Sequence, residues 1–565
     1  GFSGPGGAGT GGAITLAAAG GGQISAANPL LLAVNGIGGA SQSGASGGTG
    51  TGGTVALRAD GTGSLISLAD ATLGADGLAV AGGSGAGGTV LLDASAGGLI
   101  DAGLLSISAS GLPAPGDNAF SGAVQLLARG GGTLSLAALD ALAGGFLPPA
   151  SGQRSGLVAT AGSSIGISGD ATLATAGDIG LNDGGTITVG GFLQLYADGL
   201  VTAGFATPTA GATGTVTAAD LFVQAGTTLS LATALATTAG DIGLLAGGAI
   251  SVGDLGSARD AILLAGGSVS TGSITTGSGN SLFIGTITQA GSIGFPPNSP
   301  PDYSALLASV PAAINGSISI GGNVGTSGLQ LAATGNVTLA GTSQVDTDIF
   351  IISGGDLAIG PTTLTGSLFL DAGGRVSLTG PIAAPFINVQ SADIAISGGQ
   401  IGGADTQSIS LFSLAPTTVI GGAGATAAGS YSLSSGEFGA LRANSIFITT
   451  GGSMRVEQLA LAASQTSVSL GADGLLSVVG AVTAPQAVAD SLLDLSSSTG
   501  IAVVQGSGSI QLGSDPAAPA GTLDMAAPFV RVATQTLLDQ IAAGSLTGAA
   551  RDRALNAAQP VGTPA

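Results

Sequence analysis

The stretch of sequence that decides the fold consists of four similar segments. They read LQLAATGNVTLAGTSQVDTD (329–348), IFIISGGDLAIGPTTLTGS (349–367), LFLDAGGRVSLTGPIAAP (368–385) and FINVQSADIAISGGQI (386–401). Each opens with alternating apolar residues and carries a second apolar pair eight and ten residues after its start. A third short apolar element completes each segment. Three short strands in a turn of about 20 residues are typical of a parallel β-helix.

Equivalent positions of these segments carry like residues. Because side chains alternate between the two faces of a strand, one set points inward and stacks in columns about 4.8 Å apart. We expect the first column to contain the residues that open the segments, Leu329, Ile349, Leu368 and Phe386. Glycine at corners such as Gly354 adopts backbone conformations that other residues avoid.

The same eight-residue offset between apolar residues recurs through most of the chain. It links Ile179 to Ile187, Leu193 to Val201, Leu221 to Leu229, Ile242 to Ile250, Ile446 to Met454, Val468 to Leu476 and Leu493 to Ile501. Helix is disfavoured because Gly, Thr, Val and Ser interrupt any apolar stripe of helical period. The sequence therefore predicts an all-β, right-handed parallel β-helix with three short strands per coil of about 18–22 residues.

The N-terminal third has a longer period. Val55, Val90 and Val124 open strands at intervals of 35 and 34 residues, and Gly-rich tracts such as 47–53 and 82–88 precede the first two. We expect longer coils whose extra length forms Gly-rich surface loops, with the glycines serving turn geometry. A phosphate-binding loop would need a helix after the strand, and no helical pattern follows.

Two breaks in the pattern divide the chain. We predict a β-helix with long Gly-rich coils over 1–150, a further β-helical part over 151–294 and a Pro-rich inserted loop over 295–312. Regular coils follow over 313–513. Residues 514–565 are expected to form a C-terminal cap or connection with two candidate helical segments, Thr534–Ala542 and Leu546–Ala558.

Composition excludes many functions. Cys, His, Trp and Lys are absent, which removes the usual zinc and copper ligands, thiol chemistry and the commonest general base. The net charge of −21 disfavours nucleic acid and anionic membranes. Mean hydropathy is +0.58, but apolar residues come in short packets, and no run is long enough to span a bilayer. We therefore expect no enzyme, no cofactor, no metal and no transmembrane segment.

The coils resemble the passenger shafts of filamentous haemagglutinin-like proteins and autotransporter adhesins of Gram-negative bacteria. The resemblance rests on GDIGLLAGGAISVG (240–253), its neighbour 259–272 and SLFLDAGGRVSLTG (367–380), and it extends over about residues 10–512. It implies a secreted or cell-surface rod that acts in attachment or biofilm formation. Its partners would be an outer-membrane transporter for export and ligands on a host, neighbouring-cell or abiotic surface.

Candidate chemical sites are sparse. The densest charged groups are the pair Asp346 and Asp348, which we place on one strand face, and Arg551–Asp552–Arg553. Solvated surface or turn positions explain both groups better than catalysis, for which two carboxylates would have to converge. Calcium-binding repeats place Asp after Gly-Gly-x-Gly, and the Gly tracts of this chain lack Asp at that position.

Two further residue classes suggest binding surfaces. Thr186 and Thr188, like Thr286 and Thr288, have the local pattern of a Thr ladder for crystalline surfaces, but we see no recurrence in neighbouring coils. The aromatic residues are predicted to pack mostly in the core, since a stacked platform for sugars would need them exposed; they are Phe222, Phe283, Phe350, Phe369, Phe386 and Phe412.

The sequence thus favours a non-catalytic structural shaft of a secreted or cell-surface adhesin or filament, with roles in attachment, biofilm or surface display. Two alternatives stay open. One is a β-helix that binds or degrades polysaccharide, which would present a groove of residues from consecutive coils. The other is a subunit that self-assembles into an extracellular fibre or sheath.

Overall fold

The computed structural model describes residues 5–41, 46–80, 82–112, 118–148, 153–203, 214–286, 316–423, 429–484, 487, 490–514, 521–542, 545, 550–551, 553–554 and 557–560. The chain divides into two compact units, Gly1–Gly316 and Ser317–Ala565. Within the described ranges no helix has the length and apolar character needed to cross a membrane. The expected inserted loop at 295–312 lies outside the described residues.

Each unit is a parallel β-helix, which confirms the predicted all-β fold class. In the described residues a regular coil contributes one strand to each of three sheets, and these strands pair in parallel with the equivalent strands of neighbouring coils. Thr89–Ser95, for example, pairs residue for residue with Thr54–Asp60 on one side and Ala123–Arg129 on the other. We number the three sheets of a unit first, second and third, in the order in which the chain passes through them.

In the described residues of the first unit, the three sheets extend through ten coils. The first sheet consists of Ala13–Ala19, Thr54–Asp60, Thr89–Ser95, Ala123–Arg129, Ser155–Thr160, Ile179–Asp183, Val201–Thr202, Leu229–Leu231, Ile250–Val252 and Val269–Thr271. The second consists of Gln23–Ala26, Leu65–Leu68, the first halves of Leu99–Ser108 and Thr133–Ala143, Ser164–Ile167, Thr186–Val189, Thr215–Ala218, Ala234–Thr237, Leu255–Gly256 and Ile274–Thr275. The third consists of Leu30–Ala33, Ala71–Gly74, the second halves of the same two long strands, Ala171–Thr175, Phe192–Ala197, Asp220–Ala225, Ile242–Ala246, Ala261–Ala265 and Ser281–Thr286.

The interior of the first unit is built from stacked aliphatic side chains. Val55, Val90 and Val124 form one column, and all three are fully buried. Burial of a Val or Leu side chain stabilises a fold by about 1.5–3 kcal/mol relative to exposure. The alternation that predicted this column is therefore also the pattern that holds the coils together.

The Gly-rich tracts 6–12, 47–53 and 82–88 each contain a short paired strand, so the expectation that they form surface loops is wrong. Together with neighbouring strands they form two narrow parallel sheets that face one another and extend each coil sideways. One consists of Gly9–Thr10, Gly50–Thr51, Gly85–Ala86 and Ala119–Phe120, and the other of Gly36–Ile37, Gly77–Leu78 and Gly111–Leu112. We call these two sheets the glycine lobe. Between Ser155 and Thr286 the described residues form the three principal strands of each coil without this lobe.

Close approach of backbones explains the glycines of this lobe. A methyl group on Gly50 would lie 2.0 Å from the carbonyl oxygen of Leu78, and one on Gly77 would lie 2.0 Å from that of Ala86. The N–H of Gly88 donates a hydrogen bond to the carbonyl of Ala75 at 2.7 Å, where the lobe joins the main coil. Only glycine leaves room for two backbones at this distance.

The second unit repeats the three-sheet plan. Its first sheet begins with Ile318–Ile320, Val337–Leu339, Leu357–Ile359, Arg375–Leu378 and Asp393–Ile396, and a separate sheet then contains, in spatial order, Tyr431–Leu433, Thr417–Ile420, Ser453–Val456, Leu475–Val478, Gly500–Val504, Val530–Ala533 and Gln559–Pro560. The second sheet consists of Val324–Thr326, Ser343–Val345, Thr362–Leu364, Ile382–Ala383, Ile401–Gly402 and Leu441–Arg442, followed by a separate group, Leu459–Ala460, Ala481–Ala484 and Ser509–Leu512. The third consists of Gly328–Ala333, Ile349–Ser353, Ser367–Ala372, Phe386–Ser391, Ser408–Ser413, Ser445–Thr450, Ser467–Ala472, Leu492–Ser497 and Thr522–Ala526.

The register of the third sheet corrects the predicted first column by one residue. Leu368 pairs with Ile387, and Phe386 instead lies beside Ser367. Ile387 is fully buried, whereas the Phe386 side chain is exposed. The coil that starts at Leu368 is therefore 19 residues long, like the coil before it. The interval of 18 residues between Leu368 and Phe386 does not correspond to a coil, because Phe386 is not the residue that occupies the core column.

One long coil in the second unit contains a helix that the sequence pattern did not predict. The helix Ser435–Ala440 begins with a capping box, in which the Ser434 side chain accepts from the Glu437 N–H and the Glu437 carboxylate accepts from the Ser434 N–H. Phe438 of this helix and Tyr431 of the strand before it are fully buried. Six residues are too few for a periodic apolar stripe, so the helix leaves little trace in the hydrophobic pattern.

The C-terminal region continues the coils beyond residue 513, so the expected boundary falls too early. Thr522–Ala526 and Val530–Ala533 pair with strands of the preceding coil. The predicted helix is confirmed at Gln535–Ala542. Its Leu538 packs with Val504 and Ala533, which alternate with the core column, so this helix contacts the outer face of the sheet.

Candidate functional site

The third sheet of the second unit carries exposed phenylalanines on its outer face. Phe350, Phe369, Phe386, Phe412 and Phe447 are each between 38% and 46% exposed. Their neighbours in sequence, such as Leu368 and Leu370 on either side of Phe369, are buried in the column of core residues. The alternation of a β-strand therefore directs these rings to solvent.

Strand register brings the rings together around a polar centre. Phe350, Phe369, Asn388, Ser410 and Phe447 follow one another on five successive coils. The Phe350 and Phe369 ring centroids are 6.3 Å apart with their planes tilted by 52°. This distance lies within the range of a favourable aromatic pair.

A second outward column runs beside the first. It contains Ile352, Asp371, Gln390, Phe412 and Thr449 on the same five coils. The two columns together border an open cavity of about 260 Å³ whose lining includes Phe350, Phe369, Asp371, Asn388, Gln390, Ser410 and Phe412. We call this surface the aromatic trough.

The polar groups of the aromatic trough are only partly used within the protein. Gln390 Nε2 donates a hydrogen bond to Asp371 Oδ1 at 3.2 Å. The side chains of Asn388 and Ser410 have no hydrogen-bond partner among the described residues, and both are partly exposed. An amide and a hydroxyl between aromatic rings are thus available to a ligand.

A second cavity continues the trough along the stack. Its volume is about 310 Å³, and Phe412 lines both cavities. The other lining residues come from the following coils and are small or polar; they are Thr449, Thr450, Gly471, Ala472, Asp473, Ser496, Ser497, Ser498 and Ala526. The described lining of the two cavities therefore contains two carboxylates and no arginine.

The predicted core positions of the aromatic residues are wrong for Phe350, Phe369, Phe386 and Phe412. Phe222 is buried, at 3% exposure, although it alternates with Leu221 and Val223 of the core column. The alternation of side chains along each strand already indicates that these Phe residues point outward. Phe350, for example, stands between Ile349 and Ile351, and both of these occupy the core column.

Most carboxylates at coil corners accept hydrogen bonds from the backbone of the next coil. Asp220 Oδ1 accepts from the Asp241 N–H at 2.9 Å, Asp241 Oδ1 from the Asp260 N–H at 3.0 Å, and Asp260 Oδ1 from the Ser281 N–H at 2.7 Å. In the second unit Asn336 Oδ1 accepts from the Asp356 N–H in the same way, and Asp356 Oδ1 accepts from the Arg375 N–H. The backbone N–H groups at these corners have no partner in the sheet, and the column of Asp and Asn side chains supplies their hydrogen-bond acceptors.

Stacking acids in this way has an electrostatic cost at one position. Burial raises the pKa of the Asp241 carboxyl above its ordinary value, and the neighbouring Asp260 and Asp220 carboxylates add to the shift. The N–H of Asp260 and the guanidinium of Arg259, 3.7 Å away, act in the opposite direction. Desolvation is the largest of these effects.

The two carboxylates predicted to share a strand face do not do so. The strand ends at Val345, and Asp346 and Asp348 lie in the turn after it. Asp346 Oδ2 accepts from the Ser327 hydroxyl of one neighbouring coil at 3.1 Å, and Asp348 Oδ1 accepts from the Ser367 N–H of the other at 2.7 Å. The two groups therefore serve opposite coils and do not converge on a substrate position.

The remaining sequence candidates are dispersed. Thr186 pairs with Thr215 and Thr188 with Thr217, so Thr recurs in one neighbouring coil, contrary to our expectation, and the next coil has Ala at both positions. Thr288 and Asp552 lie outside the described residues. Within the part of the chain that the structure describes, no group of three His, Cys, Asp or Glu side chains is placed to hold a metal.

One buried titratable group belongs to the core of the long coil. Tyr431 is fully buried, and burial, together with the Asp393 and Glu437 carboxylates, raises the pKa of its hydroxyl. Both acids are already bonded: Asp393 pairs with Arg375 at 2.6 Å, and Glu437 accepts from the Ile396 N–H at 3.0 Å. This cluster holds the long coil against the preceding one.

Comparison of the chain with protein-family models, with curated proteins and with solved structures gives no match.

Proposed function

We propose that the chain is a non-catalytic structural shaft of a secreted or cell-surface adhesin or filament, acting in attachment, biofilm or surface display. The observation that carries the proposal is the use of side chains along the coils. Inward residues form the core, and the corner carboxylates accept backbone hydrogen bonds from the next coil. A chain built in this way uses its corner carboxylates to hold adjacent coils together.

The resemblance to filamentous haemagglutinin-like passengers supports the location. In this proposal the chain is exported through an outer-membrane transporter of a Gram-negative bacterium and meets ligands on a host cell, a neighbouring cell or an abiotic surface. The tight corners and the absence of Lys leave few sites for trypsin-like proteases. That property suits a protein that persists outside the cell.

Antibody labelling of the organism that carries the gene tests the location. Intact cells and permeabilised cells are compared, with a cytoplasmic protein as the internal control. We expect equal labelling of intact and permeabilised cells, since the epitopes are outside the outer membrane. Labelling that appears only after permeabilisation would contradict the proposal.

A second role, polysaccharide binding, is favoured by one specific observation. The exposed phenylalanines of the aromatic trough meet the condition that a stacked sugar-binding platform requires. Polysaccharide degradation has no corresponding support, because Asp346 and Asp348 bond to opposite coils. We therefore propose that the shaft binds glycan chains without cleaving them.

A further inference from the structure

We propose that the aromatic trough binds a neutral polysaccharide in an extended conformation, with the sugar chain running along the coil stack. This inference rests on the second proposed role and names its site and its ligand class. It depends on four properties of the trough: its rings, its unused polar groups, its charge and its repeat distance.

The rings are the first argument. Phe carries no polar atom, so the partly exposed rings of Phe350, Phe369, Phe412 and Phe447 in the two columns are costly in water unless a ligand covers them. Exposed apolar patches with polar surroundings mark interaction sites on soluble proteins. The C–H face of a pyranose ring is apolar and flat, and it packs on an aromatic face.

The polar groups are the second argument. Asn388 and Ser410 lie between the rings of Phe369 and Phe447, in the same outward column. A carboxamide offers two donors and an acceptor, and a hydroxyl offers both functions. Sugar hydroxyls need this mixture at the edge of a stacked ring. A purely apolar partner would leave these groups unpaired, which costs binding free energy.

Charge selects among polysaccharides. The described lining of the trough contains Asp371 and Asp473 and no basic side chain. The whole chain has a net charge of −21. Uronic acid polymers, sulfated glycans and nucleic acids would therefore meet repulsion without a compensating cation. A neutral glycan meets none, and its hydroxyls can donate to the Asp371 carboxylate.

The repeat distance selects a polymer over a single sugar. Outward positions recur at each coil, about 4.8 Å apart, which is close to the length of one pyranose residue. Phe412 joins the 260 Å³ cavity to the 310 Å³ cavity on the following coils. An extended chain can thus place successive sugars over successive coils, and affinity should rise with chain length.

Binding of defined probes to the full chain tests the proposal. Affinity electrophoresis compares neutral glucomannan and hydroxyethylcellulose with polygalacturonate and alginate, and calorimetry compares cellobiose with cellohexaose. We expect the neutral polymers to retard the protein, the anionic polymers to leave it unaffected, and the hexaose to bind at least tenfold more tightly than the disaccharide.

Variants locate the site. Phe369→Ala and Phe412→Ala should each weaken binding of the neutral polymers by about tenfold, since each removes one stacking contact. Phe369→Tyr keeps the ring and should restore binding. Phe146→Ala is the matched control, because Phe146 is 79% exposed in the other unit, and it should bind as the unmodified chain does. Thermal unfolding monitors the fold of every variant.

The outcomes separate the inference from the role on which it rests. Binding of anionic polymers alone would overturn the neutral class while leaving a polysaccharide-binding role. Binding that Phe369→Ala and Phe412→Ala leave unchanged would overturn the site. Failure of every probe would overturn both the inference and the second role, as would self-association of the chain that these two substitutions abolish.

Discussion

The glycine lobe of the N-terminal coils and the regular coils of residues 329–413 solve the same packing problem in opposite ways. In the regular coils, columns such as Leu329, Ile349 and Leu368 fill the interior with side chains. At most of the described inward positions of the lobe glycine replaces a bulky side chain, and the backbones of Gly50 and Gly77 face the backbone of the opposite sheet. Columns of bulky residues hold sheets apart, whereas columns of glycine let them approach closely.

The comparison also shows why two similar Gly-rich patterns differ in meaning. Gly354 and Gly355 lie at a corner between strands, where the chain changes direction. Gly50 and Gly85 lie within strands and pair with one another in register. A single sequence cannot separate these cases by composition. The distinction lies in whether glycine recurs at alternate positions over several residues, as it does at Gly48, Gly50 and Gly52.

The largest effect is expected from a cavity in the regular coils. Leu368→Ala should lower the local free energy of unfolding by about 2–5 kcal/mol, because the side chain is fully buried and its neighbours cannot collapse into the space. Native-state hydrogen exchange of Ile349–Ser353 and Phe386–Ser391, the paired strands, measures it. Phe369→Ala, on the outer face, should cost less than about 1 kcal/mol. Equal losses would contradict the assigned register.

The next effect concerns the glycine lobe. Gly77→Ala should destabilise the N-terminal coils by about 1–3 kcal/mol, since the new methyl group meets the carbonyl of Ala86 and backbone must shift. Gly12→Ala is the control, because no atom lies within 4 Å of a methyl group there. Hydrogen exchange of Thr54–Asp60 and Thr89–Ser95 reports both variants. If the two substitutions had the same effect, the close packing of the lobe would be disproved.

A smaller effect is expected at the corners, which both regions share. Asp356→Ala should cost about 1 kcal/mol, because the N–H of Arg375 loses its acceptor. Asp356→Asn keeps an oxygen in the same place and should retain most of that stability. Thermal unfolding of the two variants measures the difference. A larger loss for Asn than for Ala would show that charge, and not hydrogen bonding, explains the acid at this corner.

The smallest effect is electrostatic and depends on pH. Because burial raises the folded-state pKa of Asp241, the native state holds its proton more tightly than the unfolded state between the two pKa values. The ionised carboxylate therefore destabilises the fold fully above its folded-state pKa. The destabilisation decreases as the pH falls below that value and is lost below the unfolded-state pKa. We expect Asp241→Asn to raise the melting temperature slightly at pH 7, with a gain that shrinks towards pH 3. A gain independent of pH would contradict this account.

Sequence reasoning recovered the parts of the fold that depend on inward aliphatic residues. The offset between Ile242 and Ile250, for example, lies between two adjacent strands of one coil, as expected. The prediction was wrong where a large apolar side chain occupies an outward position of a strand. Phe386 is a larger apolar residue than Ile387, so the sequence pattern places Phe386 in the core column. In the structure Ile387 occupies that column, and the ring of Phe386 is exposed one residue before it. The outward Phe residues were missed for the same reason.

The candidate site was harder to predict because it depends on neighbours that are distant in sequence. Asn388, Ser410 and Phe447 are adjacent in space, yet the coil between Ser410 and Phe447 is 37 residues long. The recurrence of Thr186 and Thr188 at Thr215 and Thr217 was missed in the same way, because that coil is also longer than its neighbours. Irregular coil lengths conceal columns that only the strand pairing reveals.

Cysteine cross-linking measures strand pairing in both regions at once, since the natural chain contains no cysteine. The double variant Phe350→Cys and Phe369→Cys tests the regular coils, and Thr51→Cys and Ala86→Cys tests the glycine lobe; each pair is in register on adjacent strands. Residues paired in this way lie within the range that a disulfide can bridge. We predict that mild oxidation joins both pairs within one chain, whereas Phe350→Cys with Asn388→Cys, two coils apart, stays reduced. Cross-linking of the Phe pair without the Thr51 and Ala86 pair would show that the N-terminal Gly tracts are loops and would contradict the account.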